Sequence, residues 1–312
     1  MQVCRRLKSF SEIVEKYENY IVDFDGTVWS GPIKYEDAFK TLNILKEIGK
    51  NIIFVTNSSH KSRKAYQEKL KKFGFESPLD KIYNATLFAL LYIKQNYPSI
   101  KKLYIIGMDA VVEEATRLGY KIVGGPEHND KKINTDQEFL NMPVDQDIDG
   151  VILAFDMHFN YYKLAYASVC LQKDIPLFVT NADSYDNVGN RNLPEAGCSL
   201  SALEKASNKK GLILGKPHPF GLEYILNKYQ LDPTKTLMVG DNLNTDVLFG
   251  KNGGVDTLAL LTGVTSEEGF EKQLTSENPI VPTYLVKNLA LFNPETESRD
   301  EIIPEKIVIP SV

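Results

Sequence analysis

Two carboxylates with a single residue between them stand at the end of a short apolar run. In the stretch "NYIVDFDGTVWSG", Asp23 and Asp25 follow the apolar residues, and Gly26 comes directly after them. Carboxylates at one strand end can take separate roles, one as a nucleophile and the other as a proton carrier. The same pattern is also typical of an ordinary turn, because aspartate caps and glycine adopts positive φ.

Three more polar stretches follow predicted strands: "VTNSS" at 55–59, "GKP" at 215–217 and "GDNLNTD" at 240–246. Each has a plain structural alternative, since a Thr-Asn pair caps helices, a lone lysine is usually at the surface and an aspartate often begins a helix. In open parallel sheets, however, ligands bind at the carboxyl ends of the strands. The order and placement of the four stretches therefore favour one site.

The elements that must position these residues alternate between strand and helix. We predict a helix over residues 11–19, a buried strand at "YIVDF", and a helix in "YEDAFKTLNILKEIGK". That second helix has its apolar residues at helical spacing: Ala38, Leu42, Leu45 and Ile48. The strand "NIIFVTN" follows, which completes a parallel crossover unit. A similar alternation from "GLILGKP" to "DTLALLTG" predicts the other half of the same sheet.

A second alternation lies between these halves and predicts an inserted domain. The fold class is therefore α/β, a Rossmann-like three-layer core with a parallel sheet and an inserted smaller α/β cap domain. The predicted boundaries are 1–86 and 189–292 for the two parts of the core, 87–188 for the cap, and 293–312 for a C-terminal extension with little order of its own. Within the cap, residues 124–147 are predicted to form a flexible excursion.

Composition excludes several classes of partner. The chain has 312 residues, of which 43% are hydrophobic and 25% charged, with no apolar run long enough to span a bilayer. A net charge of −5 with mixed signs gives no basic field for nucleic acid. Cys4, Cys170 and Cys198 lie far apart without metal-ligand spacing, and no secretory signal is recognised. We expect a cytoplasmic protein with no nucleic-acid or membrane partner.

Taken together, the four stretches resemble the signature motifs of the haloacid dehalogenase-like phosphohydrolases. The resemblance implies that Asp23 is the nucleophile and becomes an aspartyl phosphate. It implies that Asp25 protonates the leaving group and later takes a proton from water, unlike relatives such as the ion-pumping ATPases, which have another residue there. It also implies a bound Mg²⁺, held by Asp23, the backbone carbonyl of Asp25, and Asp241.

The resemblance assigns supporting roles to the remaining motif residues. Lys216 would neutralise the nucleophile and the phosphate, and Thr56, Asn57 and Gly26 would bind phosphoryl oxygens. Asp246 would position metal-bound water and Lys216 rather than bind the metal directly. Asn242 would support the fourth motif, where many eukaryotic members have arginine.

The position of the insert narrows the subgroup of this family that the chain resembles. It lies between Asn57 and Lys216, after the second motif, where the second type of cap is found. The subgroup resembled is that of 4-nitrophenylphosphatase and phosphoglycolate phosphatase, which implies small phosphate esters as substrates, with 2-phosphoglycolate favoured. Alternatives are a pyridoxal phosphate or nucleotide phosphatase, a phosphomutase, and a non-catalytic binding module.

Two further expectations concern the surroundings of the site. Asp186 lies in the loop where pyridoxal phosphatases carry a histidine, and an acidic group there argues against that substrate. Relatives often form homodimers through the cap, so a homodimer is expected. Trp29 follows the first motif and either borders the site or packs in the core.

Overall fold

The computed structural model describes residues 3–188, 191–290 and 306–308. These residues form two compact units. The first takes its residues from 1–56, 67–83 and 216–312, and the second from 57–66 and 84–215. Both contain parallel strands connected through helices, which confirms the predicted α/β class.

The first unit is built on an eight-stranded sheet and a short hairpin. Numbered along the whole chain, the sheet strands are β1 (Val3–Arg6), β2 (Asn19–Val22), β5 (Asn51–Thr56), β6 (Ile82–Asn84), β14 (Thr236–Gly240), β15 (Asp256–Leu260), β16 (Tyr284–Val286) and β17 (Lys306–Val308), and the hairpin is β3 (Trp29–Ser30) with β4 (Ile33–Lys34). The order across the sheet is β17-β1-β16-β15-β14-β2-β5-β6. The neighbouring strands β1, β16, β15, β14, β2 and β5 pair in parallel, whereas β17 pairs antiparallel with β1.

Strand β17 lies in the predicted C-terminal extension. The expectation of little order is wrong for residues 306–308, because their backbone pairs with β1 at the edge of the sheet. The rest of that extension, residues 293–305 and 309–312, lies outside the described residues.

Among the described residues, five α-helices lie wholly or partly in the first unit's stretches of chain. They are α1 (Glu36–Glu47), α2 (Arg63–Lys72), α8 (Phe220–Tyr229), α9 (Leu248–Asn252) and α10 (Glu267–Leu274). In α1, Ala38, Leu42 and Leu45 are buried as predicted, but Ile48 lies beyond the last helical residue and is 53% exposed. Gly49 follows with φ +81°, a conformation that ends helices.

The helix predicted over residues 11–19 is wrong. The chain forms only a 3₁₀ turn at Phe10–Ile13 before β2 begins. Glu12 accepts hydrogen bonds from the backbone N–H groups of Lys8 and Ser9, which caps this turn. Phe10, Ile13 and Tyr17 are all buried, so the helical spacing of apolar residues is satisfied by a turn and a loop.

The second unit is built on a five-stranded parallel sheet. Its strands are β7 (Lys102–Ile106), β8 (Lys121–Gly124), β9 (Gly150–Leu153), β10 (Leu177–Val179) and β13 (Leu212–Ile213), with a hairpin of β11 (Tyr185–Val188) and β12 (Arg191–Pro194). Its helices are α3 (Ala85–Asn96), α4 (Asp109–Arg117), α5 (Asp136–Leu140), α6 (Tyr161–Cys170) and α7 (Ala196–Ser207). The strand order is β13-β10-β9-β7-β8, and all four pairings are parallel.

Both faces of this sheet are buried. Leu103 and Ile105 of β7 pack in one apolar cluster, and Tyr104 and Ile106 pack in another. A strand covered on both faces reads as a continuous apolar run, which is why these strands were visible in the sequence.

The boundaries of this unit differ from those predicted for the insert. Leu212 and Ile213 of β13 pair with Phe178 and Val179 of β10, so the strand in "GLILGKP" belongs to this sheet and its assignment to the core sheet is wrong. An apolar run does not encode which sheet it joins, because the same side chains suit either. The excursion at 124–147 contains a 3₁₀ turn and α5. Among the described residues, no helix is both long and apolar enough to cross a membrane.

Candidate active site

The first motif leaves the sheet of the first unit in a tight turn. The backbone N–H of Asp23 donates to the carbonyl of Val239 at 2.9 Å, which carries the β2–β14 pairing one residue past the strand. Gly26 has φ +84° and donates to the carbonyl of Trp29 at 2.7 Å. The result is that Asp23 is 5% exposed, whereas Asp25 is an exposed residue.

Lys216 contacts two of the predicted carboxylates. Its Nζ donates to Asp23 Oδ1 at 2.5 Å and to Asp246 Oδ1 at 2.6 Å, and it lies 3.4 Å from the carbonyl oxygen of Val55. The Lys216 side chain is 3% exposed. These contacts join the first, third and fourth motifs and bring the ammonium next to the end of β5.

Asp241 follows β14 and is held by the loop after β15. Its Oδ2 accepts from the backbone N–H of Val264 at 2.6 Å, and its carbonyl accepts from that of Thr265 at 3.0 Å. A Cβ at Gly263 would lie 2.0 Å from Asp241 Oδ2, and one at Gly26 would lie 2.4 Å from it. Glycine is therefore required at positions 26 and 263, because any larger residue there would collide with the Asp241 carboxylate.

Asp246 lies on a short π-helix, Leu243–Val247, that begins directly after Asn242. Its Oδ2 accepts from the backbone N–H of Asn242 at 3.0 Å while its Oδ1 accepts from Lys216. The Asn242 side chain accepts from the backbone N–H of Asn244 at 3.0 Å and so caps the π-helix. Asp246 is thus oriented by its own helix start and in turn orients Lys216.

The three buried carboxylates can share a cation. One oxygen from each of Asp23, Asp241 and Asp246 lies within 4.8 Å of the others. Burial, the largest effect, raises the pKa of Asp23 well above its usual value, and its carboxylate neighbours raise it further against the opposing effect of Lys216. Burial disfavours the charged form of Lys216, but Asp23 and Asp246 outweigh this and raise its pKa. When the three carboxylates are ionised, they and the Lys216 ammonium together carry a net negative charge. Carboxylate oxygens with excess negative charge are suitable ligands for a divalent cation.

Comparison with known proteins identifies the family. A family model described as haloacid dehalogenase-like hydrolase matches residues 20–121, and one described as HAD-hydrolase-like matches residues 213–291. Phosphoglycolate phosphatase 2 of Arabidopsis thaliana is 34% identical over 287 residues, covering 90% of this chain and 94% of the relative. The chain belongs to the haloacid dehalogenase-like hydrolase family. The predicted family is therefore confirmed.

Further members of this family point to the same class of enzyme. Glycerol-3-phosphate phosphatase of Rattus norvegicus is 32% identical, covering 89% of this chain and 90% of the relative. The crystal structure of 4-nitrophenylphosphatase from Thermotoga maritima matches with a TM-score of 0.76 and 26% identity, covering 92% of this chain and 98% of that one. The chain is thus a phosphoric monoester hydrolase, as predicted.

Not every predicted residue joins the buried cluster of this haloacid dehalogenase-like enzyme. Thr56 ends β5 in the first unit and is 3% exposed. Asn57 begins the second unit, where its side chain donates to Asp183 Oδ2 at 3.3 Å and its carbonyl accepts from Asn181 Nδ2 at 3.0 Å. The phosphate-binding roles of Thr56 and Asn57 stay predictions.

Two groups near the cluster were missed in the sequence. The Thr27 hydroxyl lies 3.4 Å from Asp23 Oδ2 and 3.4 Å from Asp241 Oδ1, although Thr27 was quoted only as part of a motif. The loop with Gly263 and Val264 was also overlooked. A signal was present, because "LTG" follows the buried strand β15 just as the four recognised stretches follow theirs.

The pKa of Asp241 makes the stability of the metal-free protein depend on pH. Burial, followed by the Asp246 charge, raises this pKa to about 7, against about 3.9 in an unfolded chain. The stabilisation by the bound proton is present below about pH 4 and is lost as the pH rises to about 7. We expect the free energy of unfolding to fall by up to about 4 kcal/mol over this range, measured by urea titration in EDTA.

Asp241→Asn is the control for this pH dependence. The amide cannot titrate, so the slope should be smaller in the variant, and the part that remains is attributed to Asp23, whose pKa burial also raises. An identical slope in both proteins would show that other groups cause it.

Proposed function

We propose that this protein is a magnesium-dependent phosphatase that hydrolyses small phosphate monoesters through a phosphorylated Asp23. The observation that carries the proposal is the contact of Lys216 with Asp23 and Asp246 in a buried cluster that includes Asp241. A carboxylate that attacks a phosphoryl group needs a fixed position and nearby positive charge. Lys216 supplies both.

The acidic cluster is the proposed metal site. Asp23, Asp241 and the backbone carbonyl of Asp25 would hold Mg²⁺, with Asp246 holding the Lys216 ammonium. When bound, the ion would reduce the repulsion between the carboxylate nucleophile and the phosphate dianion. The protein itself keeps Asp241 in place through the backbone N–H of Val264.

In the proposed first half of the reaction, an Asp23 carboxylate oxygen attacks phosphorus. A bond forms between that oxygen and phosphorus as the bond from phosphorus to the ester oxygen breaks. Asp25, which lies in solvent one residue beyond the buried Phe24, gives its proton to the departing oxygen. The products are an alcohol, an acyl phosphate on Asp23 and an ionised Asp25.

In the proposed second half, water attacks the phosphorus of this acyl phosphate. Asp25 takes a proton from the water, the bond between phosphorus and Asp23 breaks, and inorganic phosphate leaves. The Asp23 carboxylate and the protonated Asp25 are thereby restored. Lys216 stays within hydrogen-bond distance of Asp23 Oδ1 and stabilises the charge at both steps.

Small alkyl phosphates are the proposed substrates, with 2-phosphoglycolate first and glycerol 3-phosphate second. The names of the Arabidopsis thaliana and Rattus norvegicus relatives support these two. The Thermotoga maritima 4-nitrophenylphosphatase supports 4-nitrophenyl phosphate as a substrate in vitro.

The proposal is tested by measuring phosphate release from a panel of esters, with and without removal of the metal. The panel contains these three esters with pyridoxal 5′-phosphate and a nucleoside monophosphate. We expect EDTA to lower the rate at least about 100-fold, because the nucleophile then meets the phosphate dianion without the cation. Added Mg²⁺ should restore the rate.

The outcomes separate the alternatives. Phosphate moved between positions of a sugar phosphate without release would indicate a mutase, and no reaction with any ester would indicate a binding module. A full rate after complete metal removal, in protein shown to be folded by circular dichroism, would contradict the metal dependence.

We further propose that the enzyme acts in the cytoplasm on free metabolites, without nucleic-acid or membrane partners, and as a homodimer through the inserted domain. The resemblance to the phosphoglycolate phosphatase group supports the dimer, and the net charge of −5 supports the absence of a nucleic-acid partner. Light scattering at several protein concentrations would test the dimer. A monomer at every concentration would contradict it.

A further inference from the structure

The single tryptophan of the chain contacts the proposed proton carrier. Trp29 Nε1 donates to Asp25 Oδ1 at 2.8 Å. Trp29 is fully buried, whereas the Asp25 side chain is exposed. This hydrogen bond restricts the rotamer of the Asp25 carboxylate and gives it a defined orientation.

The indole ring is held by aromatic neighbours. It stacks on Phe24 at a centroid distance of 4.5 Å and an angle of 14°, and Phe24 stacks on Phe54 at 5.0 Å. The Phe39 ring centroid lies 6.5 Å from that of Trp29, at an interplanar angle of 21°. Since Phe24 lies between the two motif aspartates, the stack connects the ring to the backbone that carries Asp25.

A cation fixes the ring further. Lys69 Nζ lies 3.7 Å from the centroid of the Trp29 ring and donates to the carbonyl of Gly31 at 2.8 Å. The backbone of Trp29 accepts from Gly26 at 2.7 Å and donates to Phe24 at 3.3 Å. The position of Nε1 is therefore determined by packing, by a cation–π contact and by backbone hydrogen bonds.

We propose that Trp29 is the positioning residue for proton transfer by Asp25. An indole N–H can only donate, so Asp25 Oδ1 stays an acceptor and the transferred proton is carried on Oδ2. Oδ2 gives this proton to the ester oxygen as the bond to phosphorus breaks, and it receives the proton of the attacking water later. The inference rests on the proposed role of Asp25.

Esters with different leaving groups distinguish lost proton transfer from disturbed packing. Disturbed packing alone should change kcat/KM for alkyl and aryl esters by the same factor. An alkoxide needs a proton to depart, whereas 4-nitrophenolate is a stable anion and departs without one. Loss of the Trp29 hydrogen bond should therefore lower kcat/KM for 2-phosphoglycolate and glycerol 3-phosphate by about 10- to 100-fold. For 4-nitrophenyl phosphate, kcat/KM should change by less than about 3-fold, because it reports only the steps up to departure of the first product.

The experiment removes one N–H group. Because Trp29 is the only tryptophan, biosynthetic replacement of tryptophan by its benzothiophene analogue puts sulfur in place of N–H at this position and keeps the ring shape. Trp29→Phe is the second variant. Both proteins are compared with wild type in kcat/KM for the two alkyl esters and the aryl ester, after circular dichroism has confirmed that they are folded.

Two controls separate the possible results. Phe10→Leu shortens a buried aromatic side chain that packs on Tyr20 rather than on Trp29, so it should lower the melting temperature and leave the alkyl-to-aryl ratio of kcat/KM unchanged. Asp25→Asn should lower this ratio more than either Trp29 change. An unchanged ratio in the analogue protein, with a lowered ratio in Asp25→Asn, overturns the role of Trp29 and leaves the proposed function intact. An unchanged ratio in Asp25→Asn overturns the proposed role of Asp25 itself.

Discussion

Asp23→Asn should lower phosphate release from every ester of the panel by about 10⁴-fold or more. The amide is a poor nucleophile, and Asp23 is the proposed nucleophile, in contact with Lys216 and beside the Asp241 and Asp246 carboxylates. Rapid acid quench followed by intact mass measurement should detect a phosphorylated wild-type protein during turnover. The variant should show no added phosphate.

The loss should not come from unfolding. Burial raises the pKa of Asp23, and Asp246 and Asp241 raise it further, so replacement of this carboxylate by a neutral amide relieves repulsion in the metal-free protein. The melting temperature in EDTA should therefore stay the same or rise. Asp37→Asn, on the exposed start of α1, is the matched control and should keep full activity. Activity of Asp23→Asn within 10-fold of wild type would disprove the covalent route.

Lys216→Met should have the second largest effect, and it should act on both rate and stability. Methionine fills a similar volume but leaves the buried Asp23, Asp241 and Asp246 without the ammonium. Removal of one partner from a buried ion pair typically costs about 3 to 5 kcal/mol. We expect a stability loss of this size in EDTA at pH 8 and a decrease in kcat of about 10³-fold with Mg²⁺ present.

The pH dependence identifies the cause of the instability. At pH 5 the carboxylates with raised pKa values take up protons, so the difference in unfolding free energy between Lys216→Met and wild type should shrink. Lys272→Met on α10 makes the same change at an exposed position and should shift stability by no more than about 0.5 kcal/mol. A difference that is equal at pH 5 and pH 8 would show that lost packing, rather than unpaired charge, causes the instability.

Prediction from the sequence identified the side chains that lie together where short motifs follow buried strands. Asp23, Asp241 and Asp246 follow neighbouring parallel strands, whose ends meet at one edge of a sheet, and one oxygen of each lies within 4.8 Å of the others. Their catalytic and metal-binding roles stay predictions. Prediction from the sequence failed where the same local pattern can form different structures. The residues at 10–17 have helical spacing but form a turn and a loop, and the strand before Lys216 joins the sheet of the second unit.

The roles within the site depended on contacts that no local pattern encodes. Thr27 was part of a quoted motif, yet its position between two carboxylates required the fold. Trp29 was left open between packing and bordering the site, and the structure shows a buried ring that also donates to Asp25. Asn57 follows Thr56 directly, but the two residues belong to different compact units.

The order of residue types along the chain is enough to predict the α/β class, the family, and the carboxylates and lysine of the cluster. Which atoms of these residues meet depends on the tertiary fold. Lys216 Nζ reaches Asp23 and Asp246, Val264 donates to Asp241, and glycine is required where a Cβ would collide with that carboxylate. The physical reason is that hydrogen bonds and close packing act over a few ångströms between residues that lie far apart in sequence.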